Sequence, residues 1–135
     1  MRVVYGTDEP SGLATMVGGL IDQNLERDPT RRRLLRSSSA SITVPDAGVA
    51  ITVRTSPGGV EVNDGADPAA HVAITADSER LLGLTSAPLR IGLPDPFDPR
   101  GRAILLDVLS GRIKIRGILT HPRRLARLSA LLSVA

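Results

Sequence analysis

The sequence predicts an α+β domain in which helices pack on one face of a five-stranded, mainly antiparallel sheet. The first observation is a change in hydrophobic period, from about 3.6 residues near the N-terminus to about 2 in the middle of the chain. The second is that every predicted strand is apolar at alternate residues, which gives the sheet one apolar and one wet face. The helices must therefore lie together on the apolar face.

The N-terminal part of the chain predicts a helix with one apolar stripe, because apolar residues recur at steps of three and four. These residues are Leu13, Met16, Val17, Leu20, Ile21 and Leu25. Gly18 and Gly19 lie inside this helix at a cost of up to ~1 kcal/mol each relative to Ala. Either a close neighbour or a ligand explains them, or the site simply tolerates glycine. A short second helix is expected from Pro29 to Arg36, followed by a serine linker at residues 37–39.

Three strands are predicted next, separated by the turn sequences at residues 46–48 and 56–59. Their apolar residues alternate with polar ones and form a three-stranded antiparallel meander. The inward residues are Ile42 and Val44, then Val49, Ile51 and Val53, then Val60 and Val62.

The second half of the chain predicts two more strands and three more helices. The fourth strand is expected at residues 71–75 and the fifth at residues 112–116, where Ile113 and Ile115 alternate with basic residues. The helices are expected around Leu81, from about residue 99 to Gly111, and from about Pro122 to the leucine-rich end of the chain.

Length and composition predict a single domain spanning residues 1–135 in a cytoplasmic protein. A chain of this length buries roughly two thirds of its unfolded surface. The absence of cysteine excludes disulfides and cysteine-based metal or redox sites. No apolar segment has the pattern of a signal peptide or approaches the ~20 residues of a spanning helix.

Charge and aromatic content argue against a nucleic-acid partner. The net charge is only +3, and Tyr5 and Phe97 are the only aromatic residues, so the chain lacks stacking platforms for bases. Arginines nevertheless cluster at residues 31–33 with Arg36, and at residues 123–124 with Arg127. Solvated helix faces are the simpler interpretation. The sharper hypothesis is transient contact with anionic membrane lipid, or with a CoA phosphate at a pocket mouth.

The residues that usually carry catalysis do not form a recognisable motif. His71 and His121 have no metal-ligand spacing, and no nucleophile elbow is present. Asp95 and Asp98 are close enough in sequence to act as an acid/base pair, but turn chemistry explains them more simply. We therefore expect no enzymatic activity, no metal and no cofactor.

The order of these elements resembles the sterol carrier protein type 2 family. The similarity is densest in three segments: Asn63-Asp64-Gly65, the strand and helix at residues 71–84, and residues 109–117 followed by a leucine-rich helix. The resemblance implies a tunnel between sheet and helices that takes sterols, fatty acids or acyl-CoA thioesters, without a cofactor.

The sequence thus predicts a non-enzymatic carrier for an apolar small-molecule ligand, although the interlayer between sheet and helices could instead be packed core. The last helix would act as the gate of the pocket. The alternative is a structural or dimerisation module with a filled core, and a third reading is an enzyme using Asp95 and Asp98. Ligand identity and oligomeric state stay open. The expected lining residues are Met16, Leu20, Ile51, Val53, Ile74, Leu105, Leu109, Ile115, Leu128 and Leu132.

Overall fold

A mixed β-sheet is the framework of the fold. The computed structural model describes residues 3–6, 11–86, 89–90, 93–94, 97–117 and 120–132. Its strands are β1 (Val3–Tyr5), β2 (Ser38–Val44), β3 (Val49–Ser56), β4 (Gly59–Asp64), β5 (Val72–Thr75), β6 (Leu89–Arg90), β7 (Leu93–Pro94) and β8 (Lys114–Arg116). Among these described strands, β6 and β7 pair with each other, and the rest form one sheet in the order β1-β4-β3-β2-β5-β8.

The expectation of a five-stranded, mainly antiparallel sheet is wrong, because the main sheet in the described residues has six strands and is mixed. The antiparallel meander of β2, β3 and β4 forms as predicted. However, β1 adds a strand that runs parallel to β4, with Val3 opposite Val60. β5 also runs parallel to β2. A three-residue strand such as β1 is too short to show an alternating pattern, and the direction of pairing leaves no local signal.

Four helices accompany the sheet in the described part of the chain: α1 (Gly12–Arg27), α2 (Ser78–Ser86), α3 (Pro99–Leu109) and α4 (Pro122–Leu132). The helix expected at residues 29–36 is a short 3-10 helix, Pro29–Leu34. The expected serine linker is mostly strand, since β2 begins at Ser38 and Ser39 pairs with Arg54. No helix among the described residues is both long and apolar enough to cross a membrane.

The core lies between the apolar face of the sheet and the helices α1 and α4. Its central side chains are 0–1% exposed: Ile21 from α1, Ile42 and Ile51 from the sheet, and Leu131 from α4. Burying each such side chain contributes roughly 1.5–3 kcal/mol. At the centre of the sheet the interlayer is therefore a packed core.

The polar face of the sheet is only partly exposed to solvent. The chain between β4 and β5 passes over this face, and it leaves Ser41 and Thr52 only 3% and 2% exposed. The Thr52 hydroxyl donates to the Gly65 carbonyl at 2.8 Å, and the Asp67 amide donates to the Ser41 hydroxyl at 2.9 Å. These two hydroxyls therefore provide hydrogen bonds that the covering segment would otherwise lack.

Candidate functional site

The predicted lining residues fall into three groups: those in the interlayer, one that is half-buried on α3, and two that are exposed. Most belong to the packed interlayer. Leu105 is half-buried on α3, whereas Met16 and Leu109 are 38% and 83% exposed. The interlayer members are Ile51, Val53, Ile74, Leu128 and Leu132, which are buried, and Leu20 and Ile115, which are partly buried against them.

An open pocket of about 320 Å³ lies at one end of this interlayer, and we call it the apolar pocket. It lies between the first turns of α1, the turn joining β2 to β3, and the start of α2. Met16 and Leu82 remain 38% and 55% exposed. Its size is at the lower end of the range for small-molecule sites. The lining residues are Gly12, Leu13, Met16, Val44, Ala47, Val49, Ser78, Leu81 and Leu82.

Local sequence explains how the walls of the apolar pocket are held together. Val44 and Val49 pair across the β2–β3 hairpin, whose turn is closed by Gly48 at a φ of 67°. The left-handed conformation favours glycine at this position. The Asp46 carboxylate accepts a hydrogen bond from the Ser78 amide at 3.0 Å. This bond fixes the start of α2 against the hairpin, and with it the pocket wall that carries Leu82.

Of the residues predicted to line a site, only Met16 borders the apolar pocket. The sequence predicts the turn at residues 46–48 only as a connection between strands, because Asp46 and Gly48 are typical turn residues. The exposed Leu82 was a usable signal, since an apolar residue on the outer side of a short helix departs from amphipathic spacing.

A second opening, of about 470 Å³, lies at the other end of β2, and we call it the basic groove. Residues 36 and 37 enter it just before β2 begins, whereas Val44 at the apolar pocket ends β2. A seven-residue strand separates the two openings by roughly 20 Å. The lining residues of the groove are Arg36, Ser37, Thr120, His121, Pro122, Arg123, Arg124 and Arg127.

The arginines of the basic groove repel one another. Burial lowers the pKa of Arg127, and the positive charges of Arg36, Arg124 and Arg123 lower it further. Nη1 of Arg124 lies 3.2 Å from Nδ1 of His121, whereas its Nε is buried without a hydrogen-bond acceptor in the described structure. The groove thus holds a concentration of positive charge.

A narrow crevice connects the basic groove to the core. Arg124 and Arg127 line both spaces. The crevice has a volume of about 10 Å³, enough for about one water molecule. Its apolar walls are Leu34, Ala40, Val53, Leu128 and Leu131.

The two histidines come together beside this groove. The rings of His71 and His121 make an edge-to-face contact with centroids 5.2 Å apart. The Ser39 amide donates to Nδ1 of His71 at 3.1 Å. Burial lowers the pKa of His71, with further lowering from the charges of Arg124 and His121. Sequence reasoning missed this contact, because the two residues lie on different elements.

One of the two aspartates considered for acid/base catalysis caps a helix. Asp98 caps α3, where its carboxylate accepts from the Arg100 amide at 2.9 Å, as turn chemistry predicts. Asp95 lies outside the described residues. Within the described residues, no group of three or more His, Asp or Glu side chains is placed to hold a metal ion.

Comparison with solved structures identifies the fold of the chain. No protein family and no curated protein matches the sequence. A solved structure described as "UbiJ-SCP2 Ubiquinone synthesis protein" aligns with a TM-score of 0.60 and 17% identity, over 90% of this chain and 96% of that one. A conserved hypothetical protein from Thermus thermophilus, described as a candidate sterol carrier protein, aligns over 97% of this chain and 94% of its own, with 13% identity and a TM-score of 0.43. The first alignment confirms the fold implied by the sequence resemblance: the chain has the sterol carrier protein type 2 (SCP2)-like α+β fold.

Proposed function

We propose that the chain is a non-enzymatic carrier that takes up an apolar ligand through the apolar pocket. The observation that supports this proposal is a concave opening of about 320 Å³ in which Met16 and Leu82 are 38% and 55% exposed. A concave surface with large exposed apolar side chains is typical of a ligand site. The SCP2-like fold supports the same lipid-binding function.

The apolar pocket accommodates only part of a long-chain lipid, so the proposal requires the interlayer to open. The ligand would displace side chains that are packed at present, and α4 would move as the gate. Leu109 is not part of this proposal, because its side chain is 83% exposed. The side chains that would line the opened site are Met16, Leu20, Ile51, Val53, Ile74, Leu105, Ile115, Leu128 and Leu132.

The ligand class is a sterol, a fatty acid or an acyl-CoA-like molecule. The name of the SCP2-like ubiquinone synthesis protein adds an isoprenoid quinone to the compounds worth testing. A ligand of ~20 heavy atoms that gains ~0.3 kcal/mol per atom binds with about −6 kcal/mol. This corresponds to a Kd of tens of micromolar, which suits a carrier that must release its ligand.

Binding of a fluorescent fatty acid, with a sterol and a ubiquinone analogue as competitors, tests the proposal. Met16→Glu places a carboxylate in the apolar pocket and should reduce binding at least about tenfold, because an unpaired charge resists burial. Leu106→Glu makes the same kind of change on α3, at a side chain that is 62% exposed and is not a wall of the pocket. A wild-type protein that binds none of the three compounds, or equal losses in both variants, contradicts the carrier function.

One observation favours the alternative of an interaction module. Leu106 and Leu109 are 62% and 83% exposed and lie three residues apart on α3, so they share one helix face. Such a face could pair with a second copy of the chain while the core stays filled. Sedimentation equilibrium distinguishes the two functions. A wild-type dimer that Leu106→Glu converts to a monomer, together with no ligand uptake, supports the module.

A further inference from the structure

The basic groove brings four arginines around one concave space without a carboxylate. Several arginines elsewhere in the described residues lie beside aspartates: Arg54 is 2.8 Å from Asp67, and Arg112 is 3.6 Å from Asp107. A surface arginine ordinarily meets either a carboxylate or bulk water. Four that converge on one concave space without a counter-charge concentrate positive potential there, which attracts an anion.

The groove is also assembled from two separate elements. Arg36 lies in the connection that leads into β2, whereas Arg123, Arg124 and Arg127 lie in the first two turns of α4. A run of arginines on a single exposed helix face would need no explanation beyond solvation. Convergence of two segments brings Arg36 close enough to lower the pKa of Arg127, which burial already lowers. The fold thus keeps positive charges together at a cost that a bound anion would offset.

We propose that Arg36, Arg123, Arg124 and Arg127 bind a phosphate or diphosphate group, carried by the amphipathic ligand of the proposed function. The anion site is inferred from the basic groove alone, whereas the apolar tail of the ligand depends on the proposed carrier function. Each guanidinium offers several donors in a planar fork that suits phosphate oxygens. A single carboxylate would satisfy few of these donors and one of the four charges, so a phosphate group fits better.

The position of the tail follows from the crevice beside the groove. Arg124 and Arg127 line both the groove and the crevice, whose other walls include Val53, Leu128 and Leu131. A phosphate held by these arginines places its ester oxygen at the edge of the interlayer. Once the interlayer opens as the proposed function requires, the chain would extend under β2 and β3 towards the apolar pocket, a path of roughly 20 Å. An extended alkyl chain is long enough to span much of this path.

The concave shape of the basic groove favours a ligand head group over a membrane surface as the source of the phosphate. The basic groove is a concave space of about 470 Å³, whereas docking on a bilayer requires a flat or convex basic face. Arg32 and Arg33 lie on the exposed 3-10 helix outside the groove. They supply a matched pair of basic residues that a membrane would attract but a groove ligand would not.

Isothermal titration calorimetry on the full chain tests the proposal with three probes, with dodecyl phosphate kept below its critical micelle concentration and dodecanol below its solubility limit. Inorganic pyrophosphate is a head group without a tail, dodecanol is a tail without a charge, and dodecyl phosphate has both. The double variant Arg123→Gln/Arg127→Gln removes two groove charges. Arg32→Gln/Arg33→Gln removes two charges outside the groove and leaves the same net charge. Arg36→Gln tests the groove from the other segment, should the α4 variant fold poorly.

We expect dodecyl phosphate to bind more tightly than dodecanol. The groove double variant, or Arg36→Gln in its place, should weaken the binding of pyrophosphate and of dodecyl phosphate at least about tenfold, since charge-assisted hydrogen bonds are lost. Dodecanol binding should not change. The control double variant should change no affinity by more than about twofold, because exposed distant charges are screened by salt.

Two results overturn the proposal: dodecyl phosphate that binds no better than dodecanol, or equal losses in the two double variants. Pyrophosphate binding that depends on the groove arginines, without binding of either alkyl compound, supports the anion site while rejecting the carrier function. Vesicles of phosphatidylcholine with phosphatidylglycerol distinguish the membrane. If vesicle binding falls equally in both double variants and no soluble phosphate binds, the arginines serve a bilayer surface and the head-group site is wrong.

Discussion

The ring of Tyr5 lies over Gly18, so that a β-carbon added to Gly18 would come within 2.5 Å of the Tyr5 hydroxyl oxygen. Tyr5 belongs to β1, the strand that the sequence did not predict, and Gly18 belongs to α1. The close approach of the Tyr5 ring to α1 therefore depends on the missing side chain at residue 18. Of the explanations considered for Gly18 and Gly19, a close neighbour therefore applies to Gly18.

This relationship predicts opposite effects of alanine at the two adjacent glycines. Nothing lies within 4 Å of a β-carbon at Gly19, so Gly19→Ala should raise the free energy of unfolding by up to ~1 kcal/mol through helix propensity. Gly18→Ala should lower it, because the Tyr5 ring must move. Urea denaturation measures both. In a Tyr5→Ala background Gly18→Ala should become stabilising, and a gain at Gly18 in the wild-type background would contradict the contact.

The periodic elements were predictable, and the pairings between them were not. Alternation in β3 and the apolar stripe of α1 are local patterns that repeat often enough to indicate a strand or a helix. The strand β1 has three residues, and its parallel partner β4 lies far away in sequence. The basic groove was hidden for the same reason: Arg36 and Arg127 appeared as two separate clusters, and only the fold brings them together.

The hydroxyls on the outer face of the sheet predict a cost for a nearly isosteric change. Thr52→Val removes the donor to the Gly65 carbonyl and one acceptor for the Asp67 amide. Thr52 itself is 2% exposed, and the Asp67 amide keeps the Ser41 hydroxyl as an acceptor, so we expect a loss of about 1 kcal/mol of stability. Urea denaturation measures the loss, and faster amide exchange at residues 65–70 should accompany it. Thr43→Val is the control, on the same face but only partly buried, and an equal loss there would contradict the explanation.

His71 predicts a dependence of stability on pH. Its pKa is lowered from an ordinary value of 6.5, first by burial and then by the charges of Arg124 and His121. Below pH 6.5 the unfolded chain therefore takes up a proton that the folded protein resists, and the free energy of unfolding falls. Above this pH the residue is neutral in both states and contributes nothing. Protonation of Nδ1 would also abolish its role as acceptor for the Ser39 amide.

Urea denaturation at pH ~7.5 and pH ~5.5 measures this effect, above the range in which carboxylates such as Asp67 titrate. His71→Asn keeps an acceptor for the Ser39 amide but carries no titrating group. The loss of stability between the two pH values should be smaller in His71→Asn than in the wild type. The same loss in both proteins would mean that His71 is not the group responsible.

The contact between α1 and α4 predicts how readily α4 can serve as a gate. The buried Asn24 side chain, 1% exposed, donates from Nδ2 to the Leu131 carbonyl at 2.8 Å. This carbonyl belongs to the last turn of α4, where helix carbonyls ordinarily lack an intrahelical donor. Asn24 therefore satisfies the end of α4 from the neighbouring helix, and Leu128 and Leu132 stay against the core.

Asn24→Ala should lower stability by about 1–3 kcal/mol, because it removes a buried hydrogen bond to the Leu131 carbonyl. If α4 moves when a ligand enters, the variant should also release a fluorescent fatty acid faster than the wild type, in stopped-flow displacement. Gln23→Ala, at the neighbouring exposed position of α1, should change neither quantity. A destabilised Asn24→Ala with an unchanged release rate would mean that α4 stays docked while the ligand leaves, and the apolar pocket would then be the only route into the interlayer that we propose.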